Sequence, residues 1–325
     1  MRWARAAGIF AAKTLALFLA VSALSFTLVR LSPIDPVQAY VGNDASVSNE
    51  QRERIARRWG LREPPVTQYF TWLGNLCRGD FGESTLFRLP VLQVIRERAV
   101  LSAALMALSW AFSGLLGFAL GVVAGAYRGG WPDRAIKTWC LVLASAPTFW
   151  LAMALMLAFA VAFPVLPLGL AAPAGKLAAD ITFADRARHL VLPCAALTLS
   201  GISSMAMQTR QKLCEALEQD YALYAAARGE SKWTIIFRHG IRNIALPALT
   251  IQFLSFSELF GGSVLAEQVF SYPGLGRTVV MAGMKSDIPL LLGITIFSAF
   301  FVFAGNTAAN GLYRLVNPEI KDREL

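Results

Sequence analysis

Charged residues are scarce in this chain: Asp, Glu, Lys and Arg make up only 16% of its 325 residues, whereas hydrophobic residues make up 56%. A soluble globular domain carries roughly 25% charged and about 45–50% apolar residues. The apolar residues are also clustered, in runs that approach or exceed the ~20 residues needed to cross a ~30 Å hydrocarbon core. The composition therefore excludes an ordinary soluble domain and predicts a membrane protein with several helical spans.

Metal-ligating residues are equally few. The chain has two histidines, His189 and His239, and four cysteines without a CxxC spacing. A lone imidazole does not make a metal site, and Cys140 and Cys194 fall in apolar runs where thiols pack as small hydrophobes. The cysteine pattern supports neither a disulfide framework nor a zinc site. We therefore predict that this chain binds no metal.

The chain also lacks the residues that catalysis or nucleotide binding would need. The apolar runs contain neither a serine–histidine pair nor paired aspartates. The nearest approach to a phosphate-binding loop, 169–176, is one residue too long and is followed by Leu177 instead of Ser or Thr. The net charge of +9 has no compact basic domain to host nucleic acid. We predict no catalytic residue, no cofactor and no nucleic-acid partner.

Six apolar runs are long enough to be transmembrane helices. They cover residues 8–29, 99–126, 136–163, 189–207, 244–266 and 288–312. Among the short connections, Lys and Arg concentrate in 127–137 and 210–242, while the 267–287 loop has only Arg277 and Lys285. The long 30–98 segment also contains many arginines, but long translocated segments escape the charge rule. The positive-inside rule places the two basic segments in the cytoplasm, and six spans then return both termini to that side. The predicted fold class is an all-α membrane protein with six transmembrane helices.

Two polar segments interrupt the spans. The first, 30–98, is expected to be extracytoplasmic, and it divides the chain into a first helix with its outer segment, 1–98, and a transmembrane domain, 99–325. Within the outer segment we expect a charged helix at 49–59 and a lead-in along the membrane surface at 90–98.

The second segment, 213–242, is predicted to hold two short amphipathic helices around Gly229. Residues at helical spacing in the first helix are Leu213, Leu217, Tyr221, Tyr224, Ala225 and Arg228. Glycine adopts positive φ at low cost, so Gly229 would end this helix, and Ser231 would cap the second, which carries Ile235 and Ile236. Two such helices on the cytoplasmic face fit either a protein-docking site or an interfacial connector on lipid.

The polar and small residues of this segment form a recognisable pattern. They are Asp220, Tyr221, Ala225, Arg228, Gly229, Arg238, His239, Arg242, Asn243, Leu246 and Pro247. The pattern resembles the coupling loop of ABC importer permeases, in the form found in the dipeptide, oligopeptide and nickel permease family. Segments 32–36, 79–82, 267–277, 287–289 and 317–318 also resemble that family, so the resemblance covers nearly the whole chain.

The resemblance implies a permease subunit of an ATP-driven, binding-protein-dependent importer in the bacterial inner membrane, with a type I ABC importer fold. It implies a homologous second permease, two ATPase subunits (or one as a homodimer) that bind ATP and Mg, and an extracytoplasmic substrate-binding protein, beside the lipid bilayer. The implied ATPase-coupling residues are Tyr221, Tyr224, Ala225, Arg228, Gly229, His239, Arg242 and Asn243. For Arg228, His239 and Arg242 a role at a helix end or on lipid headgroups is the alternative.

Polar residues within the spans are candidates for the translocation path. A carboxylate at membrane depth is costly and rarely faces lipid, so Glu258 is the foremost candidate, with a buried structural hydrogen bond as its alternative. The other candidates are Ser200, Ser203, Ser204, Gln208 and Ser257. For the small residues, tight helix packing is the competing interpretation.

Two questions stay open at this level. An ATP-independent secondary transporter is the alternative function, although it would need no docking loop. The substrate is either a short peptide or a chelated metal, and 221–224 with Glu258 resemble the nickel and metallophore members more closely.

Overall fold

The computed structural model describes residues 2–31, 37, 48–58 and 62–316, and within these residues the regular structure is helical. The helices are α1 (Arg2–Leu31), α2 (Asn49–Arg58), α3 (Pro65–Cys77), α4 (Val91–Ala126), α5 (Trp131–Ser145), α6 (Thr148–Met156), α7 (Phe183–Leu217), α8 (Asp220–Ala227), α9 (Lys232–Ile235), α10 (Ile241–Leu254), α11 (Phe256–Val269), α12 (Leu275–Met284) and α13 (Ile288–Val316). A π-helical segment, Leu157–Ala162, continues α6, and another, Ile236–Gly240, joins α9 to α10. The family-like segments 32–36 and 317–318 and the expected helix stop at Trp59-Gly60 lie outside the described residues.

Four helical stretches are long and apolar enough to cross a membrane by themselves. They are Ala12–Leu31, Val91–Ala126, Phe183–Leu217 and Ile288–Ala308. Two bent helix pairs, Trp131–Ser145 with Thr148–Ala162 and Lys232–Leu254 with Phe256–Val269, raise the number to six if each pair is one span. The chain is therefore an all-α, multi-pass membrane protein.

The third predicted span is not the continuous helix expected over 136–163. The chain bends by 104° between α5 and the helix that follows it. Ala146 at the break is extended, with φ of −91° and ψ of 126°, and Pro147 comes next. Proline disfavours the helical conformation in the residue before it, so the sequence Ala146-Pro147 ends α5 and starts a helix in a new direction.

Two other boundaries also differ from expectation. The lead-in expected along the membrane surface at 90–98 is instead the first turns of α4, where Val91 and Ile95 are fully buried. The fourth span is longer than 189–207, because α7 is a 35-residue helix that begins at Phe183 and ends at Leu217. The helical spacing of Leu213 and Leu217 thus belongs to the end of this span. The separate short helix α8 begins only at Asp220.

The chain divides into two compact units. Unit 1 comprises Met1–Val100 and Arg277–Phe301, and unit 2 comprises Leu101–Gly276 and Val302–Leu325. In unit 1, Asp287 is fully buried and accepts hydrogen bonds from Ser84 Oγ (2.5 Å) and Leu86 N (3.0 Å). These bonds attach the loop after the 79–82 turn to the start of α13. The Asp287 carboxylate thus holds the backbone around Ser84 and Leu86 in place.

In unit 2, α7 is the central helix and packs against α5, α6, α10 and α11. Its core includes the side chains of Leu105, Leu192, Leu197 and Phe270. Since α7 leads directly into the 213–242 segment, its position determines where that segment is presented.

Candidate coupling site and translocation face

The 213–242 segment adopts the helix–turn–helix form that its sequence predicts. Helix α8 ends at Ala227, and Gly229 follows with a φ of +84°, the left-handed conformation that glycine adopts at no steric cost. The Ser231 hydroxyl then accepts a hydrogen bond from the backbone N–H of Thr234 (3.2 Å) and caps α9. The predicted helix end at Gly229 and the predicted cap at Ser231 are confirmed.

A small apolar core holds α8 and α9 together. Ala222 and Ala225 of α8 are buried against Ile235 of α9, and Leu217 packs beside them. The methyl side chain of Ala225 therefore permits a close approach between two helices of the same chain. Its role in the loop is internal, whereas the coupling role implied by the resemblance would be on the surface.

The other implied coupling residues lie on or near the surface of this segment. Tyr221, Tyr224, Arg228, Gly229, Arg242 and Asn243 are exposed, and His239 is half-buried. The Arg228 guanidinium lies 5.9 Å from the centre of the Tyr224 ring, and the rings of Tyr221 and His239 are 6.3 Å apart. The segment thus presents aromatic rings and cationic groups side by side, a composition typical of protein-binding surfaces.

A partly buried ion pair, which the sequence pattern did not reveal, lies near the end of α7 where this segment begins. The Arg210 guanidinium of α7 donates to both carboxylate oxygens of Asp133 in α5, at 2.5 and 2.7 Å. The Asp133 carboxylate is fully buried and also accepts from the backbone N–H of Gly129 (2.8 Å). One signal was present: Asp133 is the only acidic residue between Glu97 and Asp180.

The turn before α5 also contacts the α8–α9 segment directly. Arg128 forms an ion pair with Glu218, immediately after α7. The Tyr127 ring lies 6.0 Å from the Trp233 ring, and the Lys232 ammonium lies 5.7 Å from the centre of the Tyr127 ring. Together with the Asp133 pair, these contacts connect the 127–133 turn to both α7 and α9.

The candidate path residues fall into two groups. Ser204 and Gln208, four residues apart on α7, are exposed, and so is Glu258 on α11. Ser200 instead shares a hydrogen bond with Thr148 of α6 (3.0 Å), and Ser257 donates to Asn306 of α13 (2.7 Å).

Ser203 belongs to the packed group. Its hydroxyl is buried and has no hydrogen-bond partner in the described part of the chain. Ser200, Ser203 and Ser257 therefore pack against neighbouring helices, as the alternative interpretation predicts. Glu258 is exposed, so the alternative of a buried structural hydrogen bond does not apply to it.

The 267–277 motif is built around a third buried carboxylate, after Asp287 and Asp133. Glu267 is fully buried and accepts a hydrogen bond of 2.5 Å from Ser102 Oγ of α4, which in turn accepts from Leu275 N (2.8 Å). A Cβ atom on Gly274 would lie 2.4 Å from this carboxylate, so only glycine allows the backbone at this position to approach Glu267 so closely. Burial, with a further contribution from the nearby Glu267 charge, raises the pKa of Tyr272 to about 12.

Comparison with known proteins identifies the family. Residues 117–322 match the family model described as "Binding-protein-dependent transport system inner membrane component". The chain belongs to this family. It is 35% identical to a putative peptide transport system permease protein of Brucella abortus, over 95% of this chain and 96% of that protein.

Other relatives and a solved structure agree with this assignment. The oligopeptide transport system permease protein AppB of Bacillus subtilis is 31% identical over 94% of this chain and 95% of its own. The glutathione transport system permease protein GsiC of Escherichia coli K12 is 32% identical over 93% of this chain and 94% of its own. A chain of the MetNI methionine ABC transporter has a TM-score of 0.53 at 15% identity, covering 70% of this chain and 97% of that chain, which shows a shared fold.

The family membership establishes the general function. The chain is a permease subunit of a binding-protein-dependent ABC importer, which in general works with ATPase and binding-protein partners. The comparisons give no support to an ATP-independent secondary transporter.

Proposed function

We propose that this permease imports short peptides. The relatives described above are named for peptides, oligopeptides and glutathione, itself a short peptide. No cluster of three or more His, Cys, Asp or Glu side chains suited to a metal lies within the described residues. The names of the relatives favour a peptide over the nickel or metallophore substrates that 221–224 and Glu258 suggested, whereas the missing cluster weighs only against a free metal ion, since a chelated metal needs no ligands from the chain.

Uptake measurements in a strain lacking the gene test the substrate. We expect loss of labelled di- or tripeptide uptake, with unchanged accumulation of nickel, cobalt and zinc. Defects limited to metal accumulation in the presence of a chelator would reject the peptide assignment.

The 213–242 segment is the proposed docking site for the ATPases. The observation that carries this proposal is the exposed surface of Tyr221, Tyr224 and Arg228 on a helix pair that has its own core. ATP and Mg would be bound and hydrolysed by two ATPase subunits, and a homologous second permease and an extracytoplasmic binding protein would complete the importer. Both chain termini would lie in the cytoplasm, as the basic 127–137 and 210–242 segments indicate.

The proposed coupling step is a rigid-body movement. Closure of the ATPases on ATP would displace α8 and α9, and the contacts of the 127–133 turn would carry that displacement into α5 and α7. The Asp133–Arg210 pair suits this role because a bidentate pair fixes both the distance and the orientation of the two helices.

The proposed translocation face consists of the exposed polar side chains of α7 and α11: Ser204, Gln208 and Glu258. An exposed carboxylate in a spanning segment would be costly against lipid. We infer that this face adjoins the water-filled path and the second permease subunit.

Disulfide trapping in the assembled importer tests the docking assignment. A Tyr224→Cys variant should cross-link to cysteines introduced along the ATPase surface, and the yield should change between nucleotide-free and ATP-bound states. Arg134→Cys, exposed on α5 outside the 213–242 segment, is the control. Equal cross-linking at both positions, independent of nucleotide, would reject the assignment.

A further inference from the structure

Helix α3 lies within the outer segment that was predicted to be extracytoplasmic, yet its composition is not that of a solvated helix. No Asp, Glu, Lys or Arg occurs between Glu63 and Arg78. None of its side chains is fully buried, and Val66 and Phe70 are 65% and 63% exposed. A helix that exposes large apolar side chains in this way requires apolar surroundings or a partner.

The exposed side of α3 is itself divided into an apolar and a polar half. At helical spacing, Val66, Phe70 and Cys77 lie along one line, and Thr67 and Thr71 lie about 100° further round the helix. The third face, which includes Tyr69 and Trp72, is half-buried. One apolar half and one polar half are characteristic of a helix that lies at a boundary between water and an apolar medium.

Two hydrogen bonds attach the half-buried face to the spanning helix α1. Arg30 Nη1 donates to Gln68 Oε1 (2.7 Å) near the end of α1. Further into the span, the hydroxyls of Ser22 and Tyr69 lie 2.8 Å apart. These contacts place α3 alongside the last turns of α1 and not beyond its end.

Ring contacts define the depth of α3. The Phe26 ring lies 5.5 Å from the Tyr69 ring and 5.8 Å from the Trp72 ring. Phe26 precedes Leu31, the last residue of α1, by five positions, which is about 7–8 Å of helical rise. Tyr and Trp are enriched at this depth in membrane proteins, where their apolar rings meet the hydrocarbon edge.

We propose that α3 is an interfacial helix inserted into the extracytoplasmic leaflet of the bilayer. Its apolar line, Val66, Phe70 and Cys77, contacts the lipid chains, and Thr67 and Thr71 face water. Lipid is the favoured contact for this apolar line, because the exposed surface of α3 continues that of the adjoining span. Leu24 and Leu28 of α1 are also about 60% exposed, and a spanning helix presents such residues to lipid. The helix thereby anchors the outer segment to the membrane beside α1.

Spin-label accessibility in the complete importer, reconstituted in lipid vesicles, tests this proposal. Single-cysteine variants Val66→Cys, Phe70→Cys, Thr67→Cys and Thr71→Cys are made in a chain whose four native cysteines are replaced, and each must retain uptake. We expect labels at 66 and 70 to be relaxed strongly by oxygen and weakly by a water-soluble nickel chelate, with the reverse at 67 and 71.

Two results would overturn the proposal, and each has a distinct meaning. Strong relaxation by the nickel chelate at all four positions would show a solvated helix. Protection of positions 66 and 70 from both reagents would show that another protein, such as the second permease or the binding protein, covers this face.

Discussion

Asp133 and Arg210 lie 77 positions apart in the chain and form a bidentate ion pair in which the Asp133 carboxylate is fully buried and Arg210 is partly buried. Neither residue belongs to a recognised motif, yet together they join the start of α5 to α7. In the proposed coupling step, they are the connection through which movement of the 213–242 segment would reach the spans.

Arg210→Ala should be severely disruptive, because it leaves the Asp133 carboxylate buried without its partner. Removing one member of a buried pair costs ~3–5 kcal/mol. We expect lower membrane levels and loss of uptake, measured by immunoblot and transport assay. The double variant Asp133→Ala/Arg210→Ala should recover part of the protein level. Arg134 is exposed on the same helix as Asp133, so Arg134→Ala is the control. Equal membrane levels of the Arg210→Ala and Arg134→Ala variants would contradict a stabilising role for the Asp133–Arg210 pair.

Gly229→Val should deform the turn between α8 and α9. A β-branched residue at a φ of +84° is strained by ~1–3 kcal/mol, while the apolar spans are untouched. We expect near-normal membrane levels, lost transport and reduced copurification of the ATPase. Gly229→Asn is the matched control, since asparagine tolerates the left-handed region and should retain most activity. Full transport by the valine variant would refute the role of this turn.

Ala225→Glu should disrupt the segment from the inside. The new carboxylate would replace a methyl group packed against Ile235, and burying an unpaired charge is unfavourable. Loss of transport should therefore be accompanied by greater proteolysis of the 213–242 segment. Ala226→Glu places the same charge on an exposed neighbour and should leave proteolysis unchanged. If both variants resist protease equally, Ala225 is not part of a core.

Two glutamates should respond differently to replacement by glutamine. Glu258 is exposed on α11, so Glu258→Gln should lower uptake with no change in the amount of assembled importer. Glu267 is buried against Ser102, so Glu267→Gln should weaken a charge-assisted hydrogen bond and reduce the assembled importer. Uptake and complex yield, measured in parallel, separate the two roles. Normal uptake by Glu258→Gln would remove it from the path.

Orientation can be read from a single cysteine on the polar face of α3. Asn75 is exposed, and the native Cys140, Cys194 and Cys214 are buried. In a cysteine-free background, Asn75→Cys should react with an impermeant thiol reagent added to intact cells, because the outer segment is predicted to be extracytoplasmic. Labelling that needs permeabilised membranes would reverse the predicted topology. A cysteine introduced at Thr234 should show the opposite behaviour.

The sequence by itself determined the class of protein, the approximate positions of the apolar runs and the local form of the docking segment. These features depend on short-range properties: run length, helical spacing, the conformational freedom of Gly229 and the capping hydroxyl of Ser231. The family resemblance was also visible in the sequence, because each motif is a short contiguous segment that does not depend on how the chain folds.

The tertiary structure alone decided which polar residues are packed and which are exposed. Ser200, Ser203 and Ser204 share one helix and similar chemistry, yet only Ser204 is exposed, because α6 and other neighbours cover the remaining faces. The pairs Asp133–Arg210 and Glu267–Ser102 are likewise invisible in the sequence, since their members are brought together by helix packing over long separations. A single carboxylate in an apolar run needs a partner if it is buried, because an unpaired buried charge is too costly. Only the folded chain reveals whether the carboxylate is buried, as Asp133 is, or exposed, as Glu258 is, and which residue is the partner.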